Sequence, residues 1–223
     1  MSEALPIGPD GIWQELPDPA AQHPIAGKAR AALFLDRDGV LNEEIGYLAD
    51  PDDLQLIPGS AAVVAEANRR GIPVVVVTNQ GGIGRGKLSW ADFARVQRRL
   101  LDRLNAAGAG PDMVLACPFH EDADPPYRHP DHPDRKPRPG MLFRAAARLG
   151  LDLARSWIVG DSARDMKAGH AAGLAGGVLV ATGHGPDERR TLLGWAPENF
   201  VLELCDSLTD SRDLLLTRLG LET

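Results

Sequence analysis

Residues 33–42 read LFLDRDGVLN, an apolar run that stops on two carboxylates, Asp36 and Asp38, with Arg37 between them. In an extended strand the side chains at i and i+2 share a face, so both acids are pressed toward the same small space. A strand end needs one polar residue to turn the chain. A second acid at this spacing adds repulsion, and that repulsion is relieved by a cation or put to use in a reaction.

Working outward, "AALFLD" (31–36) has the unbroken apolar character of a buried strand, and "IPVVVVTN" (72–79), "DMVLACP" (112–118), "SWIVGD" (156–161) and "GGVLVAT" (176–182) repeat it. Between them lie stretches with helical spacing: "GSAAVVAEANRRG" (59–71), "SWADFARVQRRLLDRLNAAG" (89–108) with Ser89 at the N-cap, "PGMLFRAAARLG" (139–150) and "ARDMKAGHAAGL" (163–174). "CDSLTDSRDLLLTRLG" (205–220) reads as a closing helix headed by Cys205. Strands alternating with helices predict an α/β fold, a parallel sheet with helices on both faces joined by right-handed crossovers. Residues 1–30, rich in Pro, Ala and Gly, read as a surface arm anchored by Trp13, and 31–223 as one domain with a Pro- and His-rich loop at 117–137.

The chain has 223 residues, enough for a substantial core, and a formal net charge of −7 with no basic block. That balance argues against general binding to nucleic acid or to a membrane surface, so any anionic ligand must be held locally. Two distant cysteines, Cys117 and Cys205, do not look like a disulfide framework, no run is long enough to span a bilayer, and the first thirty residues lack a basic start followed by an apolar stretch. A cytoplasmic protein is expected.

In parallel sheets ligands sit beyond the carboxyl ends of the strands. Three strands here end in polar signals: Asp36 and Asp38, Thr78 and Asn79, and Asp161 with Asp165 close behind. Carboxylates converging there fit Mg²⁺, which takes oxygen ligands from a few acids and completes its shell with water and phosphate. Asp36 is then placed to hold the metal and attack phosphorus, while Asp38 lends a proton to the leaving oxygen and takes one from water. Thr78 and the backbone of "TNQGG", including Asn79 and Gln80, can donate to phosphate oxygens. Arg135 and Lys136, in "DRKPRPGM", form the best local cationic clamp.

Taken in order, "LDRDGVLN", "TNQGGIGRG", "RKPRPGM" and "VGDSARDMKAG" resemble the haloacid dehalogenase superfamily of phosphatases, in the branch that acts on heptose bisphosphates and on histidinol phosphate. The resemblance covers about residues 31–185. It implies a Rossmann-like fold without a large cap domain, Asp36 as nucleophile and Asp38 as acid and base. Mg²⁺ would be held by Asp36, the Asp38 backbone carbonyl and Asp161, with phosphate contacts from Thr78, Asn79 and Lys136, and Arg135 placing the substrate. Glu44 to Tyr47 match a substrate-contacting segment. The substrate implied is a small phosphorylated sugar, foremost a heptose 1,7-bisphosphate dephosphorylated at carbon 7, with histidinol phosphate as the alternative, and the enzyme is expected to be a monomer.

The family's structural zinc site, Cys-x-His followed by Cys-x-Cys before Arg-Lys, is altered. Here "CPFHEDADPPYRHPDHPDRKP" keeps Cys117 but places Phe119, His132 and Asp134 at the other three positions. Cys117, His120, His129 and His132 could still supply four zinc ligands, and a Pro-stiffened loop without metal is the other reading. Two rival functions follow from single features. Gly81-x4-Gly86-Lys87 begins a nucleotide-binding loop, but Leu88 stands where a metal-binding hydroxyl is needed. The altered loop would also suit a non-catalytic interaction protein on the same fold. His170 and His184 have no evident partner in the sequence, and Trp90, Trp157 and Trp195 read as packing residues.

Overall fold

The computed structural model describes residues 4–17, 29–192, 194–195 and 197–220. Its strands are β1 (Trp13–Glu15), β2 (Leu33–Leu35), β3 (Val74–Asn79), β4 (Met113–Cys117), β5 (Trp157–Gly160), β6 (Gly176–Val180) and β7 (Val201–Cys205). They form one sheet in the order β1-β4-β3-β2-β5-β6-β7, with every neighbouring pair parallel except β1 and β4. The helices are α1 (Ser60–Arg69), α2 (Gly81–Gly84), α3 (Trp90–Ala106), α4 (Gly140–Leu149), α5 (Ala163–Ala171), α6 (Gly185–Thr191) and α7 (Arg212–Arg218).

The central strands are apolar on both faces because both faces are covered. Leu33 and Leu35 point into one core with Val63 and Val64 of α1, Phe93, Val96 and Leu100 of α3, and Leu215 of α7. Phe34 points into the other with Met141, Leu142 and Ala145 of α4 and Met166 of α5. Val74 to Val77 alternate between the two cores and none is more than 1% exposed. Full burial of such a side chain contributes about 1.5–3 kcal/mol. Helix α3 starts where the sequence predicts. Ser89 and Asp92 form a reciprocal capping box, and Phe93, Val96, Leu100 and Leu104 make its buried stripe.

Two regions differ from the sequence reading. The stretch expected to be a surface arm contributes a strand: β1 pairs antiparallel with β4, and Trp13 is buried, stacked on Trp90 at 5.6 Å and edge-on to Phe93 at 5.0 Å. Trp13 is therefore an anchor, as expected, but of a sheet edge. The rest of that arm, 1–3 and 18–28, lies outside the described residues. The closing helix is also shorter than expected. Cys205 ends β7 instead of heading a helix, and α7 begins only at Arg212. Val201-Leu202-Glu203-Leu204-Cys205 is a half-exposed strand at the sheet edge, with Val201 and Leu204 exposed.

The topology fixes the place of the chemistry. β2 lies between β3 and β5, with Leu35 in register with Val76 on one side and Val159 on the other. Asp36, Thr78 and Asp161 are thus delivered to one edge by three adjacent strands. No helix of the described residues is long and apolar enough to cross a membrane.

Candidate active site

A cleft at this edge is lined by Asp36, Asp38, Glu44, Thr78, Asn79, Asp161, Arg164 and His184. Its organising group is Lys136. The ammonium is fully buried and reaches Asp36 Oδ2 at 2.8 Å, Asp165 Oδ1 at 2.6 Å and the Val77 carbonyl at 2.7 Å. Asn79 holds the lysine's backbone from both ends, donating to the Lys136 carbonyl at 2.9 Å and accepting its N–H at 3.0 Å. The side chain of Asn79 is thereby occupied in placing Lys136.

Charge in the cleft is unbalanced. Asp36, Asp161 and Asp165 bring ligand oxygens within 4.8 Å of one another, and the Lys136 ammonium directly contacts only two of the three. Burial, then the repulsion of Asp165 and Asp38, raises Asp36 to about 6 despite Lys136. Burial and Asp36 likewise push Asp161 up to about 6, and burial raises Asp165. Burial also works against the Lys136 ammonium, but Asp165 and Asp36 outweigh it and hold the lysine above its ordinary value. An all-oxygen donor set with surplus negative charge fits a hard divalent cation.

Asp161 is tightly seated. It accepts the His184 N–H at 2.8 Å, and a Cβ at Gly39 or Gly183 would come within 2.3 or 2.2 Å of its Oδ2. Both glycines have positive φ, which other residues rarely adopt, so the loops after β2 and β6 close on Asp161 only as glycine. Asp165 also receives the Ser162 N–H in a second capping box that starts α5.

Asp38 sits among donors. Arg37 approaches it with Nε and Nη2, Asn42 donates at 2.9 Å to Oδ1, and Gln80 donates at 2.9 Å to Oδ2. Gln80 also donates to Thr78 Oγ1 at 3.0 Å, so its amide links the loop after β2 to the end of β3. Glu44 is half-buried at the cleft wall, with its pKa raised by burial and by Asp38, whereas Tyr47 is exposed with the Arg85 guanidinium 5.5 Å from its ring. Arg135 donates to the Phe119 carbonyl at 3.0 Å. It lines, with Lys136 and Arg164, an adjoining cavity of about 300 Å³.

One contact and the place of two residues are not evident in the sequence. Asp165 was visible as a strand-end acid, but its pairing with Lys136 was not. Arg164 lines both the cleft and the adjoining cavity, and His184, without a partner in the sequence, faces the cleft while its backbone holds Asp161. Arg164 is brought in at the first turn of α5 and His184 by the loop before α6, placements that depend on tertiary packing.

The zinc expectation is corrected. Among the described residues the only group of three or more close potential ligands is the Asp36, Asp161 and Asp165 set, so Cys117, His120, His129 and His132 are not gathered. Each histidine instead accepts with Nδ1 the backbone N–H two residues on, at Asp122, Asp131 and Asp134, at 3.0, 3.1 and 3.2 Å. Phe119 stacks on His132 at 3.8 Å with the rings 3° from parallel, and Arg144 grips buried Asp134 at 2.7 and 2.8 Å. Cys117 is a buried strand residue whose thiol burial pushes up to about 12. Ring stacking and an ion pair thus hold the loop.

These features define a phosphoryl-transfer site of the haloacid dehalogenase type, and the chain belongs to the haloacid dehalogenase-like hydrolases, whose family pattern it matches over residues 2–173. It is 56% identical over 179 residues to the D-glycero-beta-D-manno-heptose-1,7-bisphosphate 7-phosphatase of Mesorhizobium japonicum, covering 78% of this chain and 79% of that protein. The enzyme of the same name from Escherichia coli K12 is 38% identical over 156 residues, 70% of this chain and 82% of its own. A crystal structure of a HAD-like phosphatase from Mesorhizobium loti superposes with a TM-score of 0.84 at 41% identity, covering 99% of both chains. D,D-heptose 1,7-bisphosphate phosphatase from B. bronchiseptica, solved with magnesium and phosphate, gives 0.72 at 33% identity over 84% of this chain and 98% of that one.

The raised carboxylates give a pH prediction. Asp36 and Asp161 keep their protons to about pH 6 when folded but release them near 4 when unfolded, so their contribution to metal-free stability falls as pH rises through that window. Mg²⁺ competes with those protons. Its addition is expected to raise the melting temperature more at pH 7.5 than at pH 5, and an equal gain at both would contradict the assignment.

Proposed function

We propose that the protein is a Mg²⁺-dependent phosphomonoester hydrolase that transfers phosphate to Asp36 and then to water, and that it removes the 7-phosphate of D-glycero-β-D-manno-heptose 1,7-bisphosphate. The observation that carries the chemistry is the buried Lys136, which bridges Asp36 and Asp165 beside Asp161. The choice of substrate is supported by the names of relatives up to 56% identical.

Asp36 accepts the Arg37 N–H at 2.7 Å on Oδ1 and Lys136 on Oδ2, so its carboxylate is fixed in orientation before substrate arrives. One Asp36 oxygen attacks phosphorus as the bond to the sugar oxygen breaks. The departing sugar oxygen takes a proton from Asp38. Water then attacks the phosphorus of the aspartyl-phosphate, passing its proton to Asp38, and the bond to Asp36 breaks to release inorganic phosphate. Mg²⁺ held by the Asp36 and Asp161 carboxylates and the Asp38 backbone carbonyl would shield the charge between nucleophile and phosphate. The Thr78 hydroxyl and the Lys136 ammonium bind the transferring group, while Asn79 and Gln80 act by placing Lys136 and Asp38. Glu44, Tyr47 and Arg135 contact the remainder of the sugar. Every group named comes from one copy of the chain, so a monomer suffices.

The test is phosphate release with Mg²⁺ from both anomers of the heptose bisphosphate, from histidinol phosphate and from a panel of small phosphomonoesters. A kcat/KM of about 10⁴ M⁻¹s⁻¹ or more for the β-anomer, well above the rest, is expected. Preference for histidinol phosphate would move the substrate, and no release above an Asp36→Asn blank would leave an interaction protein.

A further inference from the structure

We propose that Arg37, the residue between the two catalytic acids, is a positioning residue that sets the orientation of the Asp38 carboxylate for proton transfer. The inference rests on the reading of Asp38 as acid and base. Arg37 does not point at the phosphate cleft. Its side chain is 2% exposed, folded under the loop, with the guanidinium carbon 5.0 Å from the centre of the Phe93 ring. From there Nε lies 3.1 Å from Asp38 Oδ1 and 3.2 Å from Oδ2, and Nη2 lies 2.9 Å from Oδ2.

The backbone of the same residue completes the arrangement. The Arg37 carbonyl accepts the N–H groups of Leu41 at 2.9 Å and Asn42 at 3.2 Å, making the turn that brings the Asn42 amide onto Asp38 Oδ1. Gln80 closes on Oδ2 from the loop after β3. The carboxylate is therefore held on three sides, and only Arg37 holds both of its oxygens. Packing alone does not account for the arginine, because Nη1 is buried with no hydrogen-bond partner, and an apolar side chain of similar length would fill the space without that defect. The planar fork matches a carboxylate in a way a lysine cannot.

The experiment is single-turnover release of the leaving group, with enzyme in excess, from an alkyl phosphate and from p-nitrophenyl phosphate, whose leaving group needs no proton. Wild type, Arg37→Lys, Arg37→Met, Asp38→Asn and the double variant Arg37→Met/Asp38→Asn are compared. A misoriented acid is expected to slow the alkyl phosphate by about 10- to 100-fold in both Arg37 variants. The p-nitrophenyl rate should stay within about twofold, and Arg37→Met should add nothing once Asp38 is Asn. Equal slowing of both substrates, or a full further loss in the double variant, would overturn the proposal and leave Arg37 a structural residue. If Arg37→Met does not fold, Arg37→Lys alone decides by the same two-substrate ratio. An Asp38→Asn variant that releases the alkyl leaving group at the wild-type rate would instead overturn the role of Asp38, and the inference with it.

Discussion

Asp36→Asn is expected to lose turnover by about 10⁴-fold or more while keeping the fold, because the substitution removes the nucleophile with little change of shape and leaves Lys136 two of its three partners. The amide oxygen can still accept the Arg37 N–H, while its NH2 cannot accept from the Lys136 ammonium, which keeps Asp165 and the Val77 carbonyl as partners. It also removes one of three crowded carboxylates, the one that burial and its neighbours raise to about 6. Metal-free Asp36→Asn should therefore melt no lower than wild type at pH 7.5. Circular dichroism melts alongside the phosphate assay check both halves. Residual activity with normal Mg²⁺ dependence would contradict nucleophilic attack by Asp36, and a collapsed melting curve would make the loss of activity uninformative about mechanism.

Lys136→Met is expected to have the largest effect on stability. Its ammonium is the one cation between Asp36 and Asp165, both side chains of the Lys136–Asp165 pair are fully buried, and the third bond reaches the Val77 carbonyl. Removing one partner of such a pair leaves uncompensated buried charge, which costs about 3–5 kcal/mol. Urea unfolding of the metal-free protein at pH 7.5 measures it. Adding Asp165→Asn to Lys136→Met should restore part of the loss, since it removes the carboxylate left without a partner, and turnover should stay low in both because the phosphate has lost its ammonium. A Lys136→Met protein as stable as wild type would show that the pair does not hold this edge of the sheet together.

Much of this site was legible because strand ends announce themselves. Asp36, Asp38, Thr78 and Asp161 each follow an apolar run, and parallel sheets deliver such ends to one edge. Lys136 was legible as a cation ahead of a helix, but its burial between two acids was not, since that depends on where the loop before α4 lies against β3. The loop after β6 was opaque for a similar reason. "TGHG" carries no sign that Gly183 must pass within contact of Asp161 or that the next N–H will hold it. β7 was missed because an edge strand carries Glu203 and exposed Leu204, a pattern too polar for a buried strand and too short to declare an alternation. The zinc expectation failed because ligand spacing does not report where rings point. A phenylalanine at position 119 already turns that loop toward stacking on His132.

The most direct measurement of the central claim uses Asp38→Asn with p-nitrophenyl phosphate in a rapid acid quench. Without Asp38 to take a proton from water, the second step slows while release of this leaving group does not. The account predicts a near-stoichiometric burst of p-nitrophenol. It also predicts a hydroxylamine-labile phosphate on the peptide that contains Asp36. Release of p-nitrophenol and phosphate in step, with no phosphorylated protein at any time, or phosphate carried on another residue, would contradict it.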